Sequence, residues 1–129
     1  EKNITLSLCD TDLHVCCDSK WTVEALGNIV DNAIKYTACG GNVQIKVEQY
    51  SFFVKIDIID DGIGIEKEEI PKIFGRFYRS LSVADQPGVG IGLFLAREII
   101  QAQKGYIKVT SKRGKGSTFS VFLPIAKKE

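Results

Sequence analysis

Along the chain the spacing of apolar residues switches between a period of two and a helical period, and the switches divide it into elements. Residues 4–9 and 13–17 alternate and predict a hairpin of two strands around Asp10-Thr11-Asp12. Asp18 or Ser19 can then cap a helix over 21–37. On it Val23, Leu26, Ile29, Val30, Ala33 and Ile34 fall on one side at about 100° per residue and predict the core face. Cys39-Gly40-Gly41-Asn42 ends that helix. Residues 43–50 and 52–59 predict two strands with Ser51 at the turn, and 67–74 predict a short helix that has to accommodate Pro71. Residues 81–87 show no period. Gly88-Val89-Gly90-Ile91-Gly92 opens an apolar helix running to Gln103, and 106–111 and 118–124 predict strands around Lys112-Arg113-Gly114-Lys115-Gly116-Ser117.

Two stretches do not fit a purely structural pattern. The polar side of the long helix carries Glu24, Asn28, Asp31, Asn32 and Lys35 within a narrow stripe. A solvated face accounts for the charges, but two asparagines four residues apart are poor helix formers. An amide oxygen followed one turn later by a lysine suits a hydrated Mg²⁺ beside a phosphate. The second stretch is Asp60-Asp61-Gly62-Ile63-Gly64-Ile65, where an apolar strand runs into paired carboxylates and alternate glycines. It reads either as an ordinary polar turn or as a carboxylate aimed at a ligand, with backbone free to approach it. Gly88 to Gly92 precede a helix, and free N–H groups at a helix start attract anions. The common phosphate-loop patterns are absent.

Composition narrows the class without choosing a function. A chain of 129 residues with 44% hydrophobic and 26% charged residues predicts one globular domain spanning 1–129. A net charge of +1 implies neither nucleic acid nor an acidic membrane surface as partner. No apolar run approaches the roughly 20 residues of a membrane span. Cys9, Cys16, Cys17 and Cys39 lack zinc spacing and are read as reduced thiols in or near the core, which points to the cytoplasm. His14, the only histidine, lies in an alternating stretch and is read as structural or exposed.

Taken together and in order, these stretches resemble the ATP-binding catalytic domain of bacterial two-component sensor histidine kinases, which share a fold with gyrase, mismatch-repair and heat-shock chaperone ATPases. Residues 28–37 are similar to the family's N box, 60–65 to its G1 box, 73–79 to its F box, 88–93 to its G2 box and 114–119 to its last glycine turn. The resemblance implies an α+β, two-layer sandwich of the Bergerat type. Its mixed, mainly antiparallel sheet of about five strands, plus a short hairpin, is covered on one face by three helices, with a lid over about 75–90. It implies that Asp60 accepts the adenine amino group while Gly62, Gly64 and Ile65 close the loop on the ring, Tyr36 stacks on the base and Thr118 sits behind it. Asn32 would ligate Mg²⁺, Asn28 would support metal or phosphate, and Lys35 and Arg79 would meet phosphates. Gly88, Val89, Gly90, Ile91, Gly92 and Leu93 would hinge the lid and bring amides to the phosphates.

The implied activity is transfer of the γ-phosphoryl group of Mg-ATP to a histidine on a separate dimerisation domain, with Asn28, Lys35 and Arg79 as the catalytic set and a response regulator downstream. The phosphoacceptor segment is not in this chain. Hydrolysing relatives carry a water-activating glutamate where this sequence has Asn28, and Glu24 lies a further turn away. Gly75 replaces an acidic residue, and Ile91 and Phe94 are variants. Phe74, Phe77 and Tyr78 are either core or the face that docks on the phosphoacceptor helices. The implied setting is the cytoplasmic side of a membrane-anchored sensor, with no membrane contact by this domain. A serine protein kinase of the anti-sigma type and a non-catalytic nucleotide sensor are the alternatives.

Overall fold

The computed structural model of the chain describes residues 5–8, 19–37, 40–75 and 92–124. They form β1 (Thr5–Leu8), α1 (Ser19–Tyr36), β2 (Asn42–Gln49), β3 (Phe53–Asp60), a single 3-10 turn (Ile70–Lys72), α2 (Gly92–Ala102), β4 (Tyr106–Lys112) and β5 (Gly116–Pro124). The five strands make one sheet in the order β1-β2-β3-β5-β4. β1 pairs parallel with β2, and every other pair is antiparallel. The expected hairpin partner over 13–17 lies outside the described residues, as do all four cysteines, His14 and 76–91.

Strand alternation separates two faces. Val43, Ile58, Phe119 and Ile107 belong to the face on which α1 and α2 pack, and with Ala25, Ile29, Ala33, Ala96 and Ile100 they build the core. The opposite face carries Gln44, Lys46, Lys55, Asp57, Lys108 and Ser120, with Ser120 Oγ donating to Asp57 Oδ1 at 2.6 Å. One polar and one apolar face fit a mainly antiparallel sheet covered on one side. α2 runs antiparallel to α1. Thr22, in the first turns of α1, bonds Gln103, just past the end of α2, while Gly92 at the start of α2 lies against Asn28.

Two expectations are corrected. The core side of α1 holds Ile29 and Ala33, with Leu26, Val30 and Ile34 packed against the core as expected, but its first turn differs, because Thr22 and Ala25 are buried whereas Val23 is 69% exposed. α2 covers the flank that contains Thr22 and Ala25, so the apolar period alone misplaces the first turn of the stripe. The predicted helix over 67–74 is a turn followed by the 3-10 segment. One bond there has helical spacing, Ile70 N–H to Glu66 carbonyl, and the next ones, Lys72 to Glu69 and Ile73 to Ile70, span three residues. Pro71 has no N–H to continue an α-helical ladder.

Candidate nucleotide site

β3 delivers Asp60 to the end of the sheet on its core face, opposite Ser117 of β5. Asp60 is 3% exposed, and its Oδ1 accepts the Gly62 N–H at 2.9 Å. Burial holds this carboxyl above its ordinary value, the N–H groups of Gly62 and Ser117 pull the other way, and the negative charge of Asp61 adds a small upward push. Asp61 has the opposite fate. It is exposed, and its two oxygens accept the backbone and side-chain N–H groups of Asn42 at 2.9 and 3.1 Å, which lowers its pKa. One of the paired carboxylates thus faces the interior while the other fastens the start of β2.

The loop after Asp60 is held between α1 and the β4–β5 turn. Ile63 N–H donates to the Tyr36 carbonyl at 3.0 Å, and Gly114 N–H donates to the Ile63 carbonyl at 2.7 Å. A Cβ on Gly62 would lie 2.1 Å from the Tyr36 carbonyl oxygen, and one on Gly64, whose φ is +76°, would lie 2.2 Å from that of Lys112. Close approach explains the first glycine; close approach and a left-handed backbone explain the second. Ser111 Oγ accepts the Ile65 N–H at 2.7 Å and lies 2.7 Å from Ser117 Oγ.

Back along α1 from Tyr36, Lys35, Asn32 and, at mid-helix, Asn28 are half-buried while Glu24 and Asp31 are exposed, so the polar stripe is split. A Cβ on Gly92 would meet Asn28 Cβ at 3.7 Å and Cγ at 3.8 Å, so the first turn of α2 abuts this amide. Asn32 Nδ2 is buried with no hydrogen-bond partner among the described residues. From Asn28 to Tyr36 the helix rises roughly 12 Å.

Residues 17–127 match the family described as Histidine kinase-, DNA gyrase B-, and HSP90-like ATPase. The chain belongs to that family. This ATPase-family domain is 39% identical over 122 residues to the sensor histidine kinase WalK of Bacillus subtilis (strain 168), which covers 92% of the domain and 20% of WalK. It is 37% identical over 125 residues to the sensor protein kinase PmrB of Pseudomonas aeruginosa, covering 96% of the domain and 26% of PmrB. The domain therefore spans a fifth to about a quarter of these relatives. Among solved structures, a mycobacterial sensor histidine kinase MprB superposes with a TM-score of 0.87 at 28% identity, over 98% of this domain and 86% of that chain. The catalytic domain of the histidine kinase ThkA, in a nucleotide-free form, gives 0.80 at 27% identity, over 97% and 81%.

Around the site of the ATPase-family domain the structure brings Gly62, bonded to Asp60, against the Tyr36 end of α1, Gly64 and Ile65 against β4 at Lys112 and Ser111, and Gly92 against Asn28. Tyr36 is 7% exposed, and Ile65 and half-buried Leu93 pack with the core. Arg79, Gly88, Val89, Gly90, Ile91, Phe77 and Tyr78 lie outside the described residues. Thr118 is corrected: it pairs with Ile59 and Thr110 on the open face, one residue out of phase with Asp60. Ser117 takes the place beside Asp60. Phase could have found it, since Ser117 alternates with Phe119, Val121 and Leu123, all buried. Phe74 is core, not docking face. It packs edge-on to Phe119 at 6.3 Å, and Arg97 lies over its ring at 5.0 Å.

Proposed function

We propose that this domain binds Mg-ATP and donates its γ-phosphoryl group to a histidine on a separate dimerisation domain of a two-component sensor kinase. One observation carries the reading: the loop bearing the buried Asp60 is seated on the carboxyl end of the same helix whose half-buried amides adjoin the first turn of α2. Asp60 accepts the adenine amino group, and the Gly62–Gly64 loop lies on the ring beside Tyr36. The start of α2 offers unspent N–H groups and a positive dipole end to the phosphates, with Lys35 and Arg79 as cations.

The residues fit a Mg²⁺ ion. Asn32 carries an amide with unspent hydrogen-bonding capacity, and turning that amide by half a revolution presents its oxygen instead. Mg²⁺ keeps several waters and needs only one or two protein oxygens beside the substrate phosphates. Bound there, the ion would neutralise charge on the transferred group. Asn32 and Asn28 would hold it. Phosphoryl transfer is mostly positioning and charge neutralisation, and the acceptor imidazole is itself the nucleophile, so the domain needs no base. Phe77 and Tyr78 would contact the acceptor helices.

Labelled ATP, Mg²⁺ and the matching dimerisation domain, mixed with this domain, should place acid-labile phosphate on histidine. Acid-stable label on serine would select the anti-sigma type of kinase instead, and binding without transfer would select a nucleotide sensor. The names of the relatives favour the histidine acceptor.

A further inference from the structure

Both helices pack on one side of the sheet, and its other side carries rings as well as charges. Tyr106 stacks on Phe122 with 4.4 Å between ring centroids, Tyr50 stacks on Phe53 with 4.8 Å, and Phe53 and Phe122 join the two pairs at 5.5 Å. Tyr106 is 54% exposed and Tyr50 41%. A contiguous exposed apolar patch of this kind marks an interaction surface, where a single exposed ring would not.

The charges beside the rings say what fits there. Across β2, β3 and β4, one row of this face holds Lys46, Asp57 and Lys108, and the next holds Glu48, Lys55 and Tyr106. Sheets that pack face to face align their strands to within about 30°. A second copy can be laid on this face by a two-fold axis running across the strands, between the two rows. Lys46 then faces Glu48 of the other copy, Lys55 faces Asp57, Lys108 faces the Tyr106 ring and Phe53 faces Ile59, and symmetry makes every pair twice. An axis running along the strands instead sets Lys46 against Lys108. Lys55 already lies 3.5 Å from Asp57 of its own chain, so the charges that discriminate are the exposed Lys46 and Glu48.

We propose that this aromatic and charged face of the sheet is a self-association surface, on which a second copy of this chain docks across a two-fold axis perpendicular to the strands. Four strands and four rows of side chains span roughly 20 by 25 Å, on the order of 500 Å² from each copy, which is the size of a weak and transient contact. A weak contact suffices where two copies are tethered to one dimer, as in the function proposed above, because short tethers give effective concentrations of about millimolar. Asp60 lies at the end of the sheet and on its other face, so the pairing leaves the nucleotide site open and sends the two sites to opposite ends of the pair.

Sedimentation equilibrium of this chain, up to about 1 mM, is expected to show a monomer–dimer equilibrium with a dissociation constant on the order of 100 μM. Lys46→Glu and Glu48→Lys each place like charges together twice in the symmetric pair, and each is expected to weaken association about tenfold. Mixed in equal amounts, the two variants present opposite charges to each other at both places, and the mixture is expected to recover to within about threefold of wild type. That recovery separates lost complementarity from a damaged fold, which mixing would not repair. A wild-type chain still monomeric at the highest concentration leaves the face to a different protein and overturns the inference. Single variants that associate as wild type does, or a mixture no tighter than they are, overturn it as well. None of these outcomes touches nucleotide binding, so the function proposed above stands or falls separately.

Discussion

The Tyr36 end of α1 and its middle, around Asn28 and Asn32, are built differently. At the Tyr36 end the loop is fixed within the protein: Asp60 accepts Gly62, Ile63 donates to Tyr36, Ile65 donates to Ser111 and Gly114 donates to Ile63. In the middle of the helix, Asn32 Nδ2 is buried with no partner among the described residues, and one turn before it Gly92 brings the start of α2 against Asn28. A buried donor left unpaired costs about 1–3 kcal/mol. The Asp60 loop, which the proposed function makes the base site, is thus formed before any ligand arrives, and the Asn32 amide, which it places near the phosphates, carries a cost that a ligand can relieve. Preorganisation of this kind gives selectivity to the first region and leaves affinity for charge to the second.

The most severe way to break the base end is Gly64→Ala. Its Cβ would lie 2.2 Å from the Lys112 carbonyl on a backbone of φ +76°. We expect a loss of about 3 kcal/mol or more in a denaturant melt. A near-wild-type midpoint would mean that the loop is not held against the β4–β5 turn.

Asp60→Asn separates function from stability. ATP affinity should fall about tenfold to a hundredfold in calorimetry, because the charged acceptor of the adenine amino group becomes an amide that accepts more weakly or turns a competing NH2 toward it. The fold should be no less stable near neutral pH, since a carboxyl whose pKa is raised by burial favours its protonated form in the folded state. The sign is specific. From the ordinary value of 3.8 upward, through the raised folded value, wild-type stability contributed by Asp60 falls as pH rises, and Asp60→Asn removes that slope. Asp61, with a lowered pKa, contributes stability that is present above 3.8 and lost as pH falls through the lower folded value. Acid titrations of the two single variants should therefore depart from wild type in opposite directions.

Asn32→Ala probes the other region. Mg-ADP affinity should drop roughly tenfold, the worth of one lost charge-assisted contact, while binding measured in chelator is nearly unchanged. Equal losses with and without metal would place Asn32 outside the ion site. The smallest effect is expected for Asp61→Ala. It removes the two bonds to exposed Asn42 and should cost under about 1 kcal/mol, with nucleotide affinity kept.

Much of this was legible in the sequence, for identifiable reasons. The Asp60 to Ile65 stretch stands out because a carboxylate at the end of an apolar strand, followed by two glycines, is costly unless a close approach requires it. The residues that escaped are those whose signal is phase rather than type. Thr118 and Ser117 are chemically alike, and a shift of one position in a strand changes the face. Ser111 alternates with Ile107 and Val109, so its inward direction was readable only once that strand's phase was taken seriously. Val23 on α1 misled for another reason. An apolar side chain at the right angle counts as core in a periodic reading, yet the neighbour that decides burial, α2, comes from seventy residues later in the chain. Asp61 drew no role of its own from the sequence, because nothing local says that Asn42 will meet it.

The most direct test sets adenosine against Mg-ADP on the wild-type domain, Asp60→Asn and Asn32→Ala. A single pocket strung along α1 predicts that Asp60→Asn weakens both ligands by similar factors, whereas Asn32→Ala weakens Mg-ADP and leaves adenosine alone. Adenosine binding that ignores Asp60→Asn, or that falls with Asn32→Ala as far as Mg-ADP does, would contradict the division of the site into these two regions.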